Sequence, residues 1–136
     1  MQEKKELQEK ILAYRILETR LNSLIKQREI VISKIIEIQT SLATMEEIQK
    51  KNDVLFPIGA RIYSFGKITE KGKMIVGVGA NVAVEKNVEE TRDFLNKKME
   101  ELEKNLNSIQ NEISKISKTM EMLEPEIEEL AKKVEI

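Results

Sequence analysis

The sequence predicts an α+β fold: a long antiparallel two-helix coiled coil with two β-hairpins at one end that close into an intersubunit β-barrel. Apolar residues recur at alternating steps of three and four in both outer parts of the chain, which predicts two long helices. Between them, MIVGVGANVAVEK (74–86) alternates apolar and mostly small residues, which predicts a strand. We therefore expect an N-terminal coiled-coil helix (1–50), a β-hairpin oligomerisation module (51–87) and a C-terminal coiled-coil helix (88–136).

Both predicted helices carry a regular seam. Ten of the twelve seam positions from Leu7 to Met45 are apolar, as are thirteen of the fourteen from Val88 to Val134. Arg28 interrupts the first seam. Either its stem packs while its charged end reaches water, or it selects the register of the pair, and both interpretations stay open.

The second helix has a clear start and one irregularity. Asn87 followed by Glu90 resembles a capping box, which predicts a start at about Val88. Arg92 interrupts this seam as Arg28 interrupts the first. Pro125 cannot donate a backbone hydrogen bond, so it is either a tolerated kink or a device that loosens the last turns.

Each helix holds nearly 50 residues and would be roughly 70 Å long at the usual rise per residue. A chain of 136 residues cannot wrap a globule around two such rods. The simplest arrangement folds the helices back on each other. Both chain ends then meet at one tip, and the central module makes the turn at the opposite end.

The central module reads as about four short strands, or two hairpins. Val54–Ile58 is a short apolar run, Gly59-Ala60 marks a bend, and Arg61–Ile68 alternates again. Residues 70–73 (EKGK) are predicted to form a polar hairpin turn. The last stretch then forms one long strand, or two strands with a bend near Gly79.

Two hairpins alone cannot cover their own apolar faces, and they leave strand edges unpaired. The strands are therefore expected to pair with those of other subunits, closing a barrel that removes the edges. The residues predicted to mediate oligomerisation are the apolar side chains of the module: Val54, Phe56, Ile58, Ile62, Tyr63, Phe65, Ile68, Met74, Val76, Val78, Val82 and Val84.

Composition excludes several functions. The absence of Cys and His excludes disulfides, thiolate nucleophiles, Cys/His zinc sites and His-based acid–base chemistry. GVGANV lacks the third glycine of a dinucleotide fingerprint and leads into more strand. The carboxylates are scattered over helix surfaces. We therefore expect no enzyme, catalytic residues, cofactor or metal.

Net charge and hydropathy limit the partners. A net charge of −1 gives no basic footprint for nucleic acid. No apolar run approaches the ~20 residues of a membrane span, and the opening MQEKKELQEK is too polar for a signal peptide. These features predict a cytoplasmic protein that binds neither nucleic acid nor membrane.

The layout resembles the prefoldin family, in particular its α-class subunits of the archaeal type or the α-like paralogues that assemble with themselves. The resemblance rests on the heptad arm, then LFPIGARIYSFGKI (55–68), MIVGVGANVAVEK (74–86) and VEETRDFL (88–95). It implies an ATP-independent holdase that captures unfolded polypeptides and delivers them to a group II chaperonin. It also implies assembly with β-type subunits in a hetero-hexamer, or with itself.

The coiled-coil ends are the predicted client site. Apolar groups at the end of a solvated rod bind apolar segments of another chain, each worth ~1.5–3 kcal/mol at most. Several such ends around a cavity make binding tight yet reversible. The predicted client-binding residues are Leu7, Ile11, Leu12, Ile127, Leu130, Val134 and Ile136.

Other interpretations remain open. A purely structural subunit that self-assembles into filaments, with or without chaperone activity, needs the same strand edges. A coiled-coil finger that enters a polymerase channel is disfavoured, because the module at the turn holds few acids. The acidic run from Glu121 to Glu129 is either a solvated face or a contact for a basic patch on the chaperonin.

Overall fold

The structure, a computed structural model, describes residues 1–135 and contains two long helices and four strands. In chain order these are α1 (Gln2–Lys50), β1 (Asp53–Gly59), β2 (Ile62–Lys67), β3 (Lys73–Gly79), β4 (Val82–Asn87) and α2 (Val88–Val134). The strands form two separate antiparallel hairpins, β1 with β2 and β3 with β4. The predicted fold class of two long helices and two hairpins is confirmed.

The described residues form two compact units. The helix-pair unit contains Met1–Ser33, which includes the first part of α1, and the part of α2 that begins at Glu103. The hairpin unit, Lys34–Leu102, contains the end of α1, both hairpins and the start of α2.

The helix-pair unit is an antiparallel pair with a narrow apolar core. Its buried residues are Leu24, Val31, Ile109 and Ile116, and Leu24 is only 1% exposed. All four lie at predicted seam positions, so the seam prediction is confirmed in this unit. Outward positions on α2 are mostly charged, as expected of a two-stranded coiled coil whose single seam buries few residues.

Side chains of the chain segment around its start cap the N-terminus of α2 in the hairpin unit. The backbone N–H of Glu90 donates to Asn87 Oδ1 at 2.8 Å, and the Asn87 N–H donates to Glu90 Oε1 at 3.4 Å. These reciprocal bonds confirm the predicted capping box. The buried Thr91 hydroxyl adds a hydrogen bond to the Asn87 carbonyl oxygen at 2.8 Å.

Both hairpins turn in the same way. Gly59 pairs with Ile62 and Gly79 pairs with Val82, which leaves two residues in each turn. The turn residues Ala60-Arg61 and Ala80-Asn81 all have positive φ, between 48° and 63°. This is the geometry of a type I′ turn, whose twist matches that of the strands. The predicted bend at Gly59-Ala60 is confirmed, and of the two possibilities left open for the last stretch the structure has two strands with a bend at Gly79.

The prediction for residues 70–73 is wrong. They join the two hairpins and do not turn between paired strands, since β2 and β3 belong to different sheets. Alternation in a sequence marks strands but does not say which strands pair. Gln49 at the end of α1 contacts this connector, because its side-chain amide donates to the Lys71 carbonyl oxygen at 2.9 Å.

Candidate functional site

The hairpins expose an unusually large set of apolar side chains. We call this set the hairpin surface, and it comprises Leu55, Phe56, Ile58, Ile62, Tyr63, Phe65, Ile75, Val78, Val82 and Val84. Phe65 is 88% exposed and Ile75 is 73% exposed. Because each hairpin is a two-stranded sheet, its outer strand edges also have no neighbouring strand within the described part of the chain.

The first hairpin is apolar on both faces. Leu55 and Phe65 are directly opposite each other across the strands and share one face. Phe56 lies opposite Ser64 on the other face. The Phe56 ring covers Gly66 so closely that a Cβ added at Gly66 would lie 2.7 Å from Phe56 Cε1. A sheet with two apolar faces requires a covering layer on each side.

The second hairpin has one strongly apolar face. Val76 pairs with Val84 across the strands, and Val82 lies on the same side as Val84. Val76 is buried, whereas its partner Val84 and, nearer the turn, Val82 are exposed. The face is thus only partly covered within the unit.

The predicted oligomerisation residues fall into two groups. Eight of them belong to the exposed hairpin surface, whereas Val54, Ile68 and Met74 are half-buried and Val76 is buried. Leu55 and Ile75 are exposed members that the sequence prediction omitted. In each strand the prediction took alternate residues, beginning at Val54 or Met74, as the apolar face. Leu55 and Ile75 lie on the opposite face. The signal was present in LFPIG, where neighbouring positions are all apolar.

Charged groups support the start of α2 in the same unit. Arg92 bonds to Glu46 at 2.5 Å and to Glu89. The hydrogen bond to Glu89, and then that to Glu46, raises the pKa of Arg92 above its usual value. Arg92 at the predicted seam therefore reaches carboxylates of both helices. Nearby, the ammonium groups of Lys86 and Lys98 lie 5.7 Å and 4.7 Å from the Phe94 ring centre.

The helix-pair unit contains an open groove near the chain termini. We call it the tip groove; it has a volume of about 340 Å³ and is lined by Ile11, Tyr14, Arg15, Glu18, Glu124, Ile127 and Glu128. Apolar side chains come from both helices, with Ile11 and Tyr14 from α1 and Ile127 from α2. Three carboxylates and one guanidinium complete the lining.

A second hollow in the same unit is mainly charged. It has a volume of about 200 Å³ and is lined by Glu6, Lys10, Glu126, Glu129, Leu130 and Lys133. The Lys10 ammonium donates to the Glu126 carboxylate at 2.6 Å and lies 3.9 Å from Glu6. The hydrogen bond to Glu126 raises the pKa of Lys10. Further along, Arg20 pairs with Glu112 at 2.9 Å.

The predicted client-binding residues are only partly brought together. Ile11 and Ile127 line the tip groove, and Leu130 lines the charged hollow. Leu12 is exposed, while Leu7 and Val134 are half-buried. Ile136 lies outside the described residues. The sequence prediction missed Tyr14 and the charged residues of the groove.

Two further properties concern the described part of the chain. No group of three or more Asp or Glu residues within residues 1–135 is arranged to hold a metal ion. None of the helices described has a stretch both long and apolar enough to cross a membrane.

Comparisons with known proteins identify the class. The family model for prefoldin subunits matches residues 17–133. The chain is 31% identical over 117 residues to prefoldin subunit alpha of Pyrococcus horikoshii, covering 83% of this chain and 79% of the relative. It is 32% identical over 94 residues to prefoldin subunit alpha of Thermofilum pendens, covering 65% and 73% of the two chains.

A solved structure shares the fold. A chain from the cryo-EM structure of filamentous prefoldin from Methanocaldococcus jannaschii matches with a TM-score of 0.71 at 22% identity. The match covers 88% of this chain and 98% of that one. Two long helices with two exposed hairpins define the class as a prefoldin-type coiled-coil subunit. This chain belongs to the prefoldin family.

Proposed function

We propose that this subunit acts as an ATP-independent holdase in the cytoplasm, binding unfolded polypeptides through the apolar end of its helix pair and delivering them to a group II chaperonin. The observation that carries the proposal is the tip groove, where Ile11, Tyr14 and Ile127 line an open space of about 340 Å³. An unfolded chain can place apolar side chains there without displacing the buried core. Membership in a chaperone family supports this use of the groove.

Assembly through the hairpin surface is the second part of the proposal. Exposed residues such as Phe65, Leu55 and Ile75 would be covered by strands of β-type subunits or of further copies of this chain. Assembly would bring several helix pairs to one client. Each weak contact then acts at high effective concentration, which makes the complex tight but reversible.

Suppression of aggregation tests the holdase proposal. The assembled protein, without nucleotide, is mixed with a denatured test protein, and light scattering follows aggregation. Replacing Ile11, which lines the groove, and the exposed Leu12 with Ser should weaken the suppression several-fold, because it removes apolar contact area. Thr19→Ala with Ser23→Ala, at exposed positions of the same helix, is the control. If the test protein aggregates as fast with the unaltered protein as without it, the proposal is contradicted.

A self-assembled structural filament is the second candidate function. It is favoured by the likeness to a subunit of a filamentous prefoldin, which covers nearly all of that chain. The hairpin surface suits either mode, because a strand edge accepts a second copy as readily as a β-type partner. Light scattering on the isolated chain, with and without a β-type partner, separates them. Growth in mass with concentration favours the filament, and a fixed mass reached only with the partner favours the hetero-oligomer.

A further inference from the structure

The tip groove combines an apolar lining with an unbalanced set of charges. Glu18, Glu124 and Glu128 surround the apolar lining, and Arg15 is the one cation among the lining residues described. The groove thus carries three carboxylates against one guanidinium. An apolar groove with a net negative rim is complementary to a particular type of peptide.

The charged side chains that line the groove form no ion pairs with other residues of the described structure. Within residues 1–135, no ion pair involves Arg15, Glu18, Glu124 or Glu128. By contrast, the neighbouring Glu126 is bonded to Lys10, and Glu112 is bonded to Arg20. The carboxylates that stabilise the helix pair are therefore different from those that line the groove.

We infer that the tip groove selects unfolded segments in which an apolar side chain is flanked by Lys or Arg. The inference rests on the proposed client-binding function and names the class of segment that it takes. The apolar side chain occupies the space between Ile11, Tyr14 and Ile127. The flanking cation lies against Glu18, Glu124 or Glu128, whose carboxylates are exposed and attract it by short-range electrostatics.

The selectivity follows from the difference between clients of opposite charge. A Lys-flanked segment is attracted by the three glutamates, whereas a Glu-flanked segment of the same apolar composition is repelled. The effect is confined to short range, since the screening length at physiological salt is ~8 Å. Arg15 opposes the attraction, so its removal should strengthen the preference.

Peptide binding to the assembled full-length protein tests the inference. Three fluorescent peptides share one apolar core and differ in flanking residues, which are Lys, Ser or Glu. At low salt we expect the Lys-flanked peptide to bind roughly three- to tenfold more tightly than the Ser-flanked one, as partly exposed ion pairs allow. The Glu-flanked peptide should bind more weakly than both.

Charge-matched variants assign the preference to the groove. Glu18→Gln, Glu124→Gln and Glu128→Gln together should abolish it, while Arg15→Gln should increase it. The control combines Glu29→Gln, Glu37→Gln and Glu103→Gln, which change net charge equally at exposed positions outside the groove lining. Helix content and assembly size are measured for each variant. If the triple groove variant does not fold, salt titration of the unaltered protein replaces it. A preference that survives 0.5 M salt, where the screening length falls to roughly 4 Å, overturns the inference.

The outcomes separate the two proposals. Equal binding of the three peptides overturns the charge selectivity but leaves client binding intact. Binding of none of them overturns the proposed client site and the inference with it. A triple groove variant that keeps the peptide preference but no longer passes clients to the chaperonin also overturns the inference, and assigns the three glutamates to the chaperonin contact.

Discussion

The ammonium group of Lys10 lies 2.6 Å from the carboxylate of Glu126, although 116 positions separate the two residues in the sequence. The bond joins the first turns of α1 to the last turns of α2. It repeats further along the helix-pair unit between Arg20 and Glu112. Cross-helix pairs of this kind favour one antiparallel register over others, because a shift would separate all of them at once.

The hydrogen bond between Lys10 and Glu126 should make the free energy of unfolding depend on pH in the alkaline range. The pKa of Lys10 lies above its ordinary value of 10.5 in the folded chain. The folded state therefore holds the proton more tightly, and the stabilisation is fully present below pH 10.5 and lost as the pH rises through the folded pKa. We expect Lys10→Gln to lower the melting temperature at pH 7 by an amount that shrinks to zero well above pH 10.5.

Thermal unfolding followed by circular dichroism measures this difference across the pH range. Lys26→Gln is the control, because Lys26 is exposed and has no ion-pair partner among the residues described. A Lys10→Gln effect that stays constant at alkaline pH would show that it does not arise from the charge.

Phe65→Ser should weaken assembly without unfolding the chain. Phe65 is 88% exposed, so its removal costs the isolated fold little. Covering such a side chain at an interface is worth roughly 1.5–3 kcal/mol, which corresponds to roughly a tenfold to hundredfold change in the dissociation constant. Light scattering against concentration gives the constant. Lys67→Ser, in the same strand, is the control, and equal effects of the two variants would argue against a buried Phe65.

Gly66→Ala should disturb the first hairpin. The added Cβ would lie 2.7 Å from Phe56 Cε1, so the ring has to move away from the strand. Because Phe56 is 46% exposed, its ring can turn aside, and we expect a loss of at most about 1 kcal/mol in the free energy of unfolding, below that of an overpacked core. Gly72→Ala provides the comparison, because a Cβ there meets nothing within 4 Å. If both substitutions behave alike in denaturant titrations, the contact with Phe56 is unimportant.

The first hairpin turn is open to stabilisation. Ala60 and Arg61 both adopt positive φ. Asn and Gly adopt this backbone conformation with less strain than Ala and Arg do. Ala60→Asn with Arg61→Gly should therefore raise the free energy of unfolding by roughly 1–2 kcal/mol. Chemical denaturation provides the measurement. The same pair of residues placed at exposed Ala43 and Thr44 of α1 should destabilise, because Asn and Gly are poor helix formers.

Pro125 should reduce the stability of the last turns of α2. The helix continues through it to Val134, yet the Glu121 carbonyl lacks its usual N–H partner. Pro125→Ala should stabilise this stretch by up to ~3 kcal/mol and slow hydrogen exchange of the amides around it. Ser117→Ala, two turns earlier in the same helix, is the control. Tip amides that are already as protected as mid-helix amides in the unaltered protein would contradict a loosening role.

Much of the architecture follows from local patterns. The heptad steps identified the buried residues Leu24 and Ile116, because a helix of regular period returns the same face to its partner. Asn87 and Glu90 marked the start of α2, because a capping box satisfies the orphan backbone groups of a helix end with side chains only three residues apart. Gly59 marked the first hairpin reversal, and Gly79 marked the second as one of two possibilities.

The sequence did not predict which strands pair or the full set of apolar side chains that are exposed. Residues 70–73 look like a turn between paired strands, yet the structure pairs each strand across Gly59 or Gly79, because pairing depends on contacts that alternation alone does not encode. Leu55 and Ile75 were omitted from the hairpin surface for a related reason, since exposure depends on which neighbours cover a face.

The sequence by itself determined the two helices, their seam, the hairpins and the family, because each depends on residues close together in the chain. Only the tertiary structure decided which strands pair, which glutamates bond to Lys10 and Arg20, and which are left to line the tip groove. The ion pairs and the groove lining join residues more than 90 positions apart, and their geometry depends on the register of one helix against the other. Strand pairing joins residues close in the chain, but alternation does not specify the partner strand.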